Sequence, residues 1–120
     1  MSISSIHYHK FYQETLKNSK VWTIKDKKGF PAPLNKDGSR SMPFWSSKER
    51  VINLIGKADA YSKFEIFEMT LDDFLKNWVP GLIKDNLQIG INWSGKKATG
   101  YDINPKLLKN NLEILINEKK

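Results

Sequence analysis

The stretch Ser41-Met42-Pro43-Phe44-Trp45-Ser46-Ser47-Lys48-Glu49 changes from strand-like to helix-like composition over a few residues. Its first half is rich in apolar and aromatic side chains, which favours a strand over residues 41–45. Ser46 and Glu49 have the spacing of a capping box, in which the serine hydroxyl accepts from the Glu49 amide and the carboxylate reaches back. We therefore predict a strand that leads directly into a helix over about residues 47–58.

Towards the amino terminus, the apolar periodicity predicts a helix over residues 4–18 and a strand over residues 20–25. Residues 30–34 contain two prolines, which predicts an edge or irregular strand. A turn at Asn35-Lys36-Asp37-Gly38 then leads into the central strand.

Towards the carboxyl terminus, residues 63–69 alternate as a strand, and Thr70 is placed to cap a helix that Pro80-Gly81 breaks or kinks. A hairpin over residues 87–103 follows. If residues 94–97 form its loop, Gly90 pairs with Tyr101. A final helix begins at Asn104-Pro105 and runs to about Asn117. Because hairpins and helices are segregated, we predict an α+β fold: a single domain over residues 1–120, with one mostly antiparallel sheet of about five strands packed by about four helices.

Composition excludes several classes of protein. The chain has no cysteine, which rules out disulfides, zinc fingers and thiol nucleophiles and suits a reducing cytoplasm. Its first residues lack the pattern of a signal peptide, and no apolar run reaches the roughly 18–20 residues of a membrane span. We expect a cytoplasmic protein that does not enter the membrane.

The net charge of +7 is concentrated in the first half. Residues 1–60 carry 11 basic and 5 acidic residues, whereas residues 61–120 carry 9 and 8. A basic half suggests nucleic acid as a partner, but 18 of the 20 cations are lysines, and bidentate phosphate and base contacts favour arginine. The lysines are also scattered, so a solvated surface is the favoured interpretation.

No constellation of side chains predicts catalysis, a metal or a cofactor. His7 and His9 are the only histidines, and they stand near the chain end on different faces of the predicted helix. Asp72 and Asp73 are explained by helix capping, and Glu65 and Glu68 by an exposed strand face. No serine stands in a nucleophile-elbow motif, so we do not expect an enzyme.

Aromatic residues beside polar ones are the remaining candidates for a site. Core packing is one interpretation of them, since buried aromatics contribute large apolar areas. The other is a ligand-binding groove with aromatic walls and a polar rim, formed by Trp22, Arg40, Trp45, Asn92, Trp93, Ser94 and Tyr101. Ser46 has a predicted capping duty, whereas Asn92 and Ser94 have none, which favours the segment Asn92-Trp93-Ser94-Gly95.

Five segments of the chain resemble the bacterial domain-of-unknown-function family 2750: Val21-Trp22-Thr23-Ile24-Lys25, Gly29-Phe30-Pro31-Ala32-Pro33, Met42-Pro43-Phe44-Trp45-Ser46-Ser47, Trp78-Val79-Pro80-Gly81-Leu82 and Ile91-Asn92-Trp93-Ser94-Gly95. The resemblance covers about residues 10–110 and implies no activity. Residues 43–47 with the helix after them are also similar to a unit of the N-terminal domain of SseB-like proteins.

Three functions follow, in decreasing order of support. The first is a non-enzymatic cytoplasmic module that holds a protein or peptide in an aromatic–polar groove or at a sheet edge. The second is an enzyme with an unfamiliar site, and the third is a nucleic-acid binder that uses the basic half. If both Trp45 and Trp93 are buried, the aromatic groove is excluded. The sequence does not indicate the oligomeric state.

Overall fold

The computed structural model describes residues 3–118, and the side chains of residues 8–118. Within this range no helix is long and apolar enough to span a bilayer. The predicted α+β class is confirmed. The described chain forms four helices and five strands, in the order α1 (Ile3–Asn18), β1 (Lys20–Lys25), β2 (Arg40–Phe44), α2 (Lys48–Lys57), β3 (Glu65–Thr70), α3 (the consecutive segments Leu71–Asp73, Phe74–Trp78 and Val79–Lys84), β4 (Leu87–Ser94), β5 (Thr99–Ile103) and α4 (Pro105–Glu118).

The strands form two sheets, and the prediction of one mostly antiparallel sheet is wrong in this respect. β1 pairs with β3 in an antiparallel ribbon. In the second sheet, β4 lies between β2, to which it is parallel, and β5, to which it is antiparallel. The parallel pair is possible because α2, β3 and α3 separate β2 from β4 in the chain. A long crossover of this kind lets the second strand return in the same direction.

The two sheets meet at Trp22 and Trp45. Each backbone N–H of this pair donates to the other residue's carbonyl, at 2.9 Å from Trp22 and 2.8 Å from Trp45. Beside this bridge, the buried Thr23 hydroxyl donates to the Pro43 carbonyl at 2.8 Å. These bonds give partners to buried polar groups of the backbone and side chains, which water cannot reach.

Strand β4 is the centre of the molecule, since it contacts all four helices. Its middle residues Ile89 and Ile91 are fully buried. One core cluster gathers apolar side chains of α1, α3 and α4 on this sheet. A second cluster lies under α2 and contains Trp22, Trp45 and Trp93.

The start of α2 differs from the prediction by one residue. Ser47, not Ser46, is the N-cap, and its hydroxyl accepts from the Arg50 amide at 3.3 Å. Ser46 is completely buried instead. Since the chain enters the helix one residue later, the Ser46 hydroxyl is free to bond elsewhere. The other two predicted caps are confirmed, at Thr70 and at Asn104.

Helix α3 continues through Pro80, so of the predicted break or kink the break is wrong, and the helix is distorted there instead. Residues Phe74–Trp78 are π-helical, and the Val79 amide donates to the Phe74 carbonyl five residues earlier. A proline has no N–H and crowds the carbonyl four residues before it. The wider π turn just before Pro80 absorbs this misfit, so that the helix can continue to Lys84.

The β4–β5 hairpin contains a bulge that shifts its register. Gly90 pairs with Asp102 and Ile91 with Tyr101, whereas the predicted loop paired Gly90 with Tyr101. The irregularity falls between Ile91 and Ser94, where β4 has one extra residue. The turn itself lies one residue later than predicted, at residues 95–98, because Ser94 still belongs to β4 and pairs with Thr99.

Candidate functional site

The tryptophans that were candidates for a groove wall are buried. Trp45 is completely covered, and Trp22 and Trp93 are 6% and 7% exposed. The Trp45 indole nitrogen donates to the Trp93 carbonyl at 2.8 Å, and that of Trp22 to Glu68 at 3.2 Å. The predicted groove walled by Trp45 and Trp93 is therefore absent, and these rings are core.

Asn92 has a structural duty that the sequence did not reveal. It lies in the bulge with a φ of 48°, in the left-handed region. Its side-chain oxygen accepts from the Ser46 amide at 3.0 Å, and its amide nitrogen donates to the Ser46 hydroxyl at 2.9 Å. Asn92 thus fastens the end of β2 to the bulge of β4.

The other predicted site residues do not gather at one place. The Arg40 guanidinium donates to the Ala32 carbonyl at 3.0 Å and braces its own loop. Ser94 is exposed at the end of β4. Tyr101 is half-buried, and its ring packs edge-to-face on Tyr8 with 6.1 Å between centroids. Of the two histidines, His9 is exposed, and the side chain of His7 lies outside the described residues.

A small pocket of about 300 Å³ lies beside the hairpin and is lined by Trp93 and Asp102, among others. Arg40, Asn92, Ser94 and Tyr101 do not line it. The pKa of Asp102 is raised above 3.8, because burial of the carboxyl and the nearby charge of Asp37 outweigh hydrogen bonding from Ser41 and Trp93. One perturbed carboxyl without a converging partner does not make an acid–base pair.

An open polar groove of about 610 Å³ lies between the end of α1, the start of β1 and the first turns of α2. We call it the polar groove. Of the predicted site residues, it contains Trp22 alone. Its lining is Glu14, Asn18, Lys20, Trp22, Ser47, Lys48, Glu49, Arg50 and Asn53.

A bidentate ion pair stabilises the polar groove. The Arg50 guanidinium donates to the two Glu14 carboxylate oxygens at 2.7 and 2.6 Å. The Ser46 hydroxyl donates to the same carboxylate at 2.8 Å, and the Asn18 amide donates to the Ser46 carbonyl at 3.0 Å. Through Ser46, this network continues to Asn92.

The Arg50 hydrogen bonds lower the pKa of Glu14 below 4.5, against the opposing effect of burial. Glu14 therefore stays ionised at neutral pH and is a fixed charge, not a proton donor. This charged and concave surface is suited to holding a polar partner by hydrogen bonds and ion pairs.

Sequence reasoning missed this pair. Glu14 and Arg50 are 36 residues apart, and each looks like an ordinary surface charge. One signal was available: Arg50 is one of only two arginines beside 18 lysines, and arginine is the cation suited to bidentate pairing with a carboxylate.

A second concavity, which we call the apolar crevice, lies between α3 and the edge strand β2. Its volume is about 220 Å³, and its lining is Met42, Asn77, Trp78, Gly81, Leu82, Asp85 and Leu87. Trp78 belongs to the π-helical segment. Its side chain is partly exposed.

The fold defines a small α+β protein whose buried tryptophans join two sheets and whose surface carries a polar groove. The model of the family described as "Protein of unknown function (DUF2750)" matches residues 8–112, so the chain belongs to this family. The resemblance noted in the sequence is thereby confirmed. No curated protein and no solved structure matches the chain, and the likeness to SseB-like proteins stays a prediction.

Proposed function

We propose that the protein is a small non-enzymatic module that binds a segment of another protein or a peptide in the polar groove. The observation that carries this proposal is the bidentate Glu14–Arg50 pair, held by Ser46 and Asn92, in the wall of an open 610 Å³ concavity. A charge pair fixed in place before a partner arrives loses little conformational entropy on binding.

The lining of the groove favours a peptide over a small apolar molecule. Sites for small molecules are mostly apolar, whereas seven of the nine lining residues, excluding Trp22 and Ser47, are charged or carry an amide. Lys48 and Glu49 are exposed, and neither forms an ion pair within the described chain. The groove therefore offers one unpaired positive charge and one unpaired negative charge, with which a charged peptide segment can form ion pairs.

A cytoplasmic location is part of the same proposal, and it is supported by the absence of cysteine. Two contacts make the nucleic-acid alternative weaker. Lys20 is paired with Glu68 at 3.1 Å, and the Lys25 ammonium lies over the Phe67 ring at 5.1 Å from its centroid. Both lysines belong to the basic half that this alternative needs.

The test is a pull-down from lysate of the source organism, in which the wild type is compared with the double variant Lys48→Glu, Asn53→Arg. These substitutions change the charge of the groove without touching its hydrogen-bond network. The matched control is Lys57→Glu, which lies at the other end of α2 and does not line the groove. Loss of a specific partner in the double variant alone is the expected result. Equal capture by all three proteins, or no specific capture by the wild type, contradicts the proposal.

A further inference from the structure

The apolar crevice has the size and lining of a pocket for one large apolar side chain. Met42, Trp78, Leu82 and Leu87 supply its apolar surface, and its volume is about 220 Å³. A cavity of roughly 150 Å³ lined by aliphatic and aromatic side chains is large enough for benzene. The crevice therefore has room for a leucine or phenylalanine side chain.

Gly81 borders the crevice. It lies inside α3, where alanine would be the favoured helix former. A Cβ placed on Gly81 would meet no atom within 4 Å. The bare backbone therefore borders empty space, and a large side chain at this position would extend into it.

Trp78 brings an unused hydrogen-bond donor to the crevice. The indole nitrogens of Trp22 and Trp45 donate to Glu68 and to the Trp93 carbonyl. Trp78 makes edge contacts with aromatic rings, the closest being Phe30 at 4.9 Å between centroids, but its nitrogen has no acceptor within the described chain. Among the described side chains, Thr15 Oγ1 is the one buried polar atom without a partner, so the Trp78 nitrogen is accessible to solvent.

The charge of the crevice is negative. Asp85 is exposed and forms no ion pair within residues 8–118, and no cation lines the crevice. The neighbouring amide of Asn77 donates to Asp73. A ligand that places a cation next to an apolar group matches this charge distribution.

We propose that the apolar crevice binds the free amino terminus of a peptide whose first residue is large and apolar. The first side chain fills the space beside Gly81, the α-ammonium pairs with the Asp85 carboxylate, and the first carbonyl accepts from the Trp78 indole. A peptide amino terminus supplies these three groups within one residue. This site is independent of the polar groove.

The test follows the Trp78 indole resonance by ¹H–¹⁵N NMR during titration with the dipeptide amide Phe-Ala-NH₂, at up to millimolar concentration. The comparison ligand is the same dipeptide with an acetylated amino terminus. A Trp78→Phe variant assigns the resonance. We expect a saturable shift with the free amine and at least tenfold weaker binding of the acetylated form.

Three variants separate the contributions. Gly81→Leu fills the crevice and is expected to abolish the shift. Asp85→Asn is expected to weaken binding at least tenfold. The control Asp72→Asn, which changes another exposed carboxylate, is expected to bind like the wild type. Gly81→Ala, with unchanged circular dichroism, shows that position 81 accepts a side chain in the folded protein. No saturable shift, equal binding of the acetylated ligand, or wild-type binding by Gly81→Leu or Asp85→Asn would each overturn the proposal.

Discussion

At the scale of single residues, Trp93 explains why Gly90 and Gly100 carry no side chain. An added Cβ at Gly90 would come within 2.6 Å of the Trp93 indole nitrogen, and one at Gly100 within 2.6 Å of the ring's Cδ1. The indole thus lies across bare backbone on both strands of the hairpin. The predicted register placed Tyr101 opposite Gly90, whereas the residue opposite Gly90 is Asp102.

Gly90→Ala is expected to destabilise the protein by about 1–3 kcal/mol, because the methyl group collides with a ring that is itself buried. Urea denaturation followed by circular dichroism measures this. Gly56→Ala is the control, since its Cβ would meet nothing within 4 Å and alanine favours the helix. Equal stability of Gly90→Ala and the wild type would contradict the observed packing of Trp93.

Asn92 combines an unusual backbone conformation with two hydrogen bonds, and two substitutions separate these contributions. Asn92→Gly loses the side-chain hydrogen bonds but adopts the positive φ without strain. Asn92→Ala loses the same hydrogen bonds and is also strained at this φ. We expect Asn92→Ala to be less stable than Asn92→Gly by roughly 1 kcal/mol, the cost of a left-handed non-glycine residue. Urea denaturation measures the stability of both variants. If Asn92→Ala were at least as stable as Asn92→Gly, the argument from the positive φ would be refuted.

At the scale of elements, α3 shows how a helix accommodates Pro80. The sequence indicated a break or a kink, because it contains the missing N–H and the steric clash of a proline but not the π turn that absorbs them. The π turn depends on side chains on several sides of the helix. Phe74 packs on Phe44 of β2 at 5.2 Å between centroids, and Trp78 packs on Phe30 and Phe67.

Gly81→Ala tests whether this last part of α3 is a regular helix. Since the added methyl group meets empty space, only the helix propensity changes, and we expect a stabilisation of about 0.5–1 kcal/mol. Thermal unfolding or urea denaturation measures it. Destabilisation by this substitution would mean that position 81 is not helical or that its surroundings are closed.

At the scale of the whole molecule, the Glu14–Arg50 pair fastens α1 to α2. Both side chains remain about one-third exposed, so its contribution to stability at neutral pH is modest, roughly 1 kcal/mol. Because the pKa of Glu14 is lowered in the folded state, this stabilisation is present above pH 4.5 and is lost as the pH falls through the lowered pKa.

The stability difference between the wild type and Glu14→Gln should therefore be largest near pH 7 and shrink below pH 4.5. Urea denaturation from pH 3 to 7 provides the measurement. Lys76→Gln, which removes the highly exposed Lys76–Asp72 pair, is the control and should change stability little. A Glu14→Gln difference that does not change with pH would contradict the role assigned to the ion pair.

The sequence by itself determined part of the local structure. Strand β1 and the caps Thr70 and Asn104 follow from propensity and hydrogen-bonding capacity within a few residues. The α+β class follows from the order of these elements. The confirmed family was indicated by five segments of the sequence, four of which contain a tryptophan.

Only the tertiary structure decided the direction of β2 beside β4, the hairpin bulge and the burial of Trp45 and Trp93. It also decided the positions of the two concavities. Each depends on contacts between residues far apart in the chain, such as Glu14 with Arg50 or Ser46 with Asn92. A local sequence pattern shows which hydrogen bonds each residue can form but not which residue will be its partner. The partner is decided by the packing of helices and strands around β4.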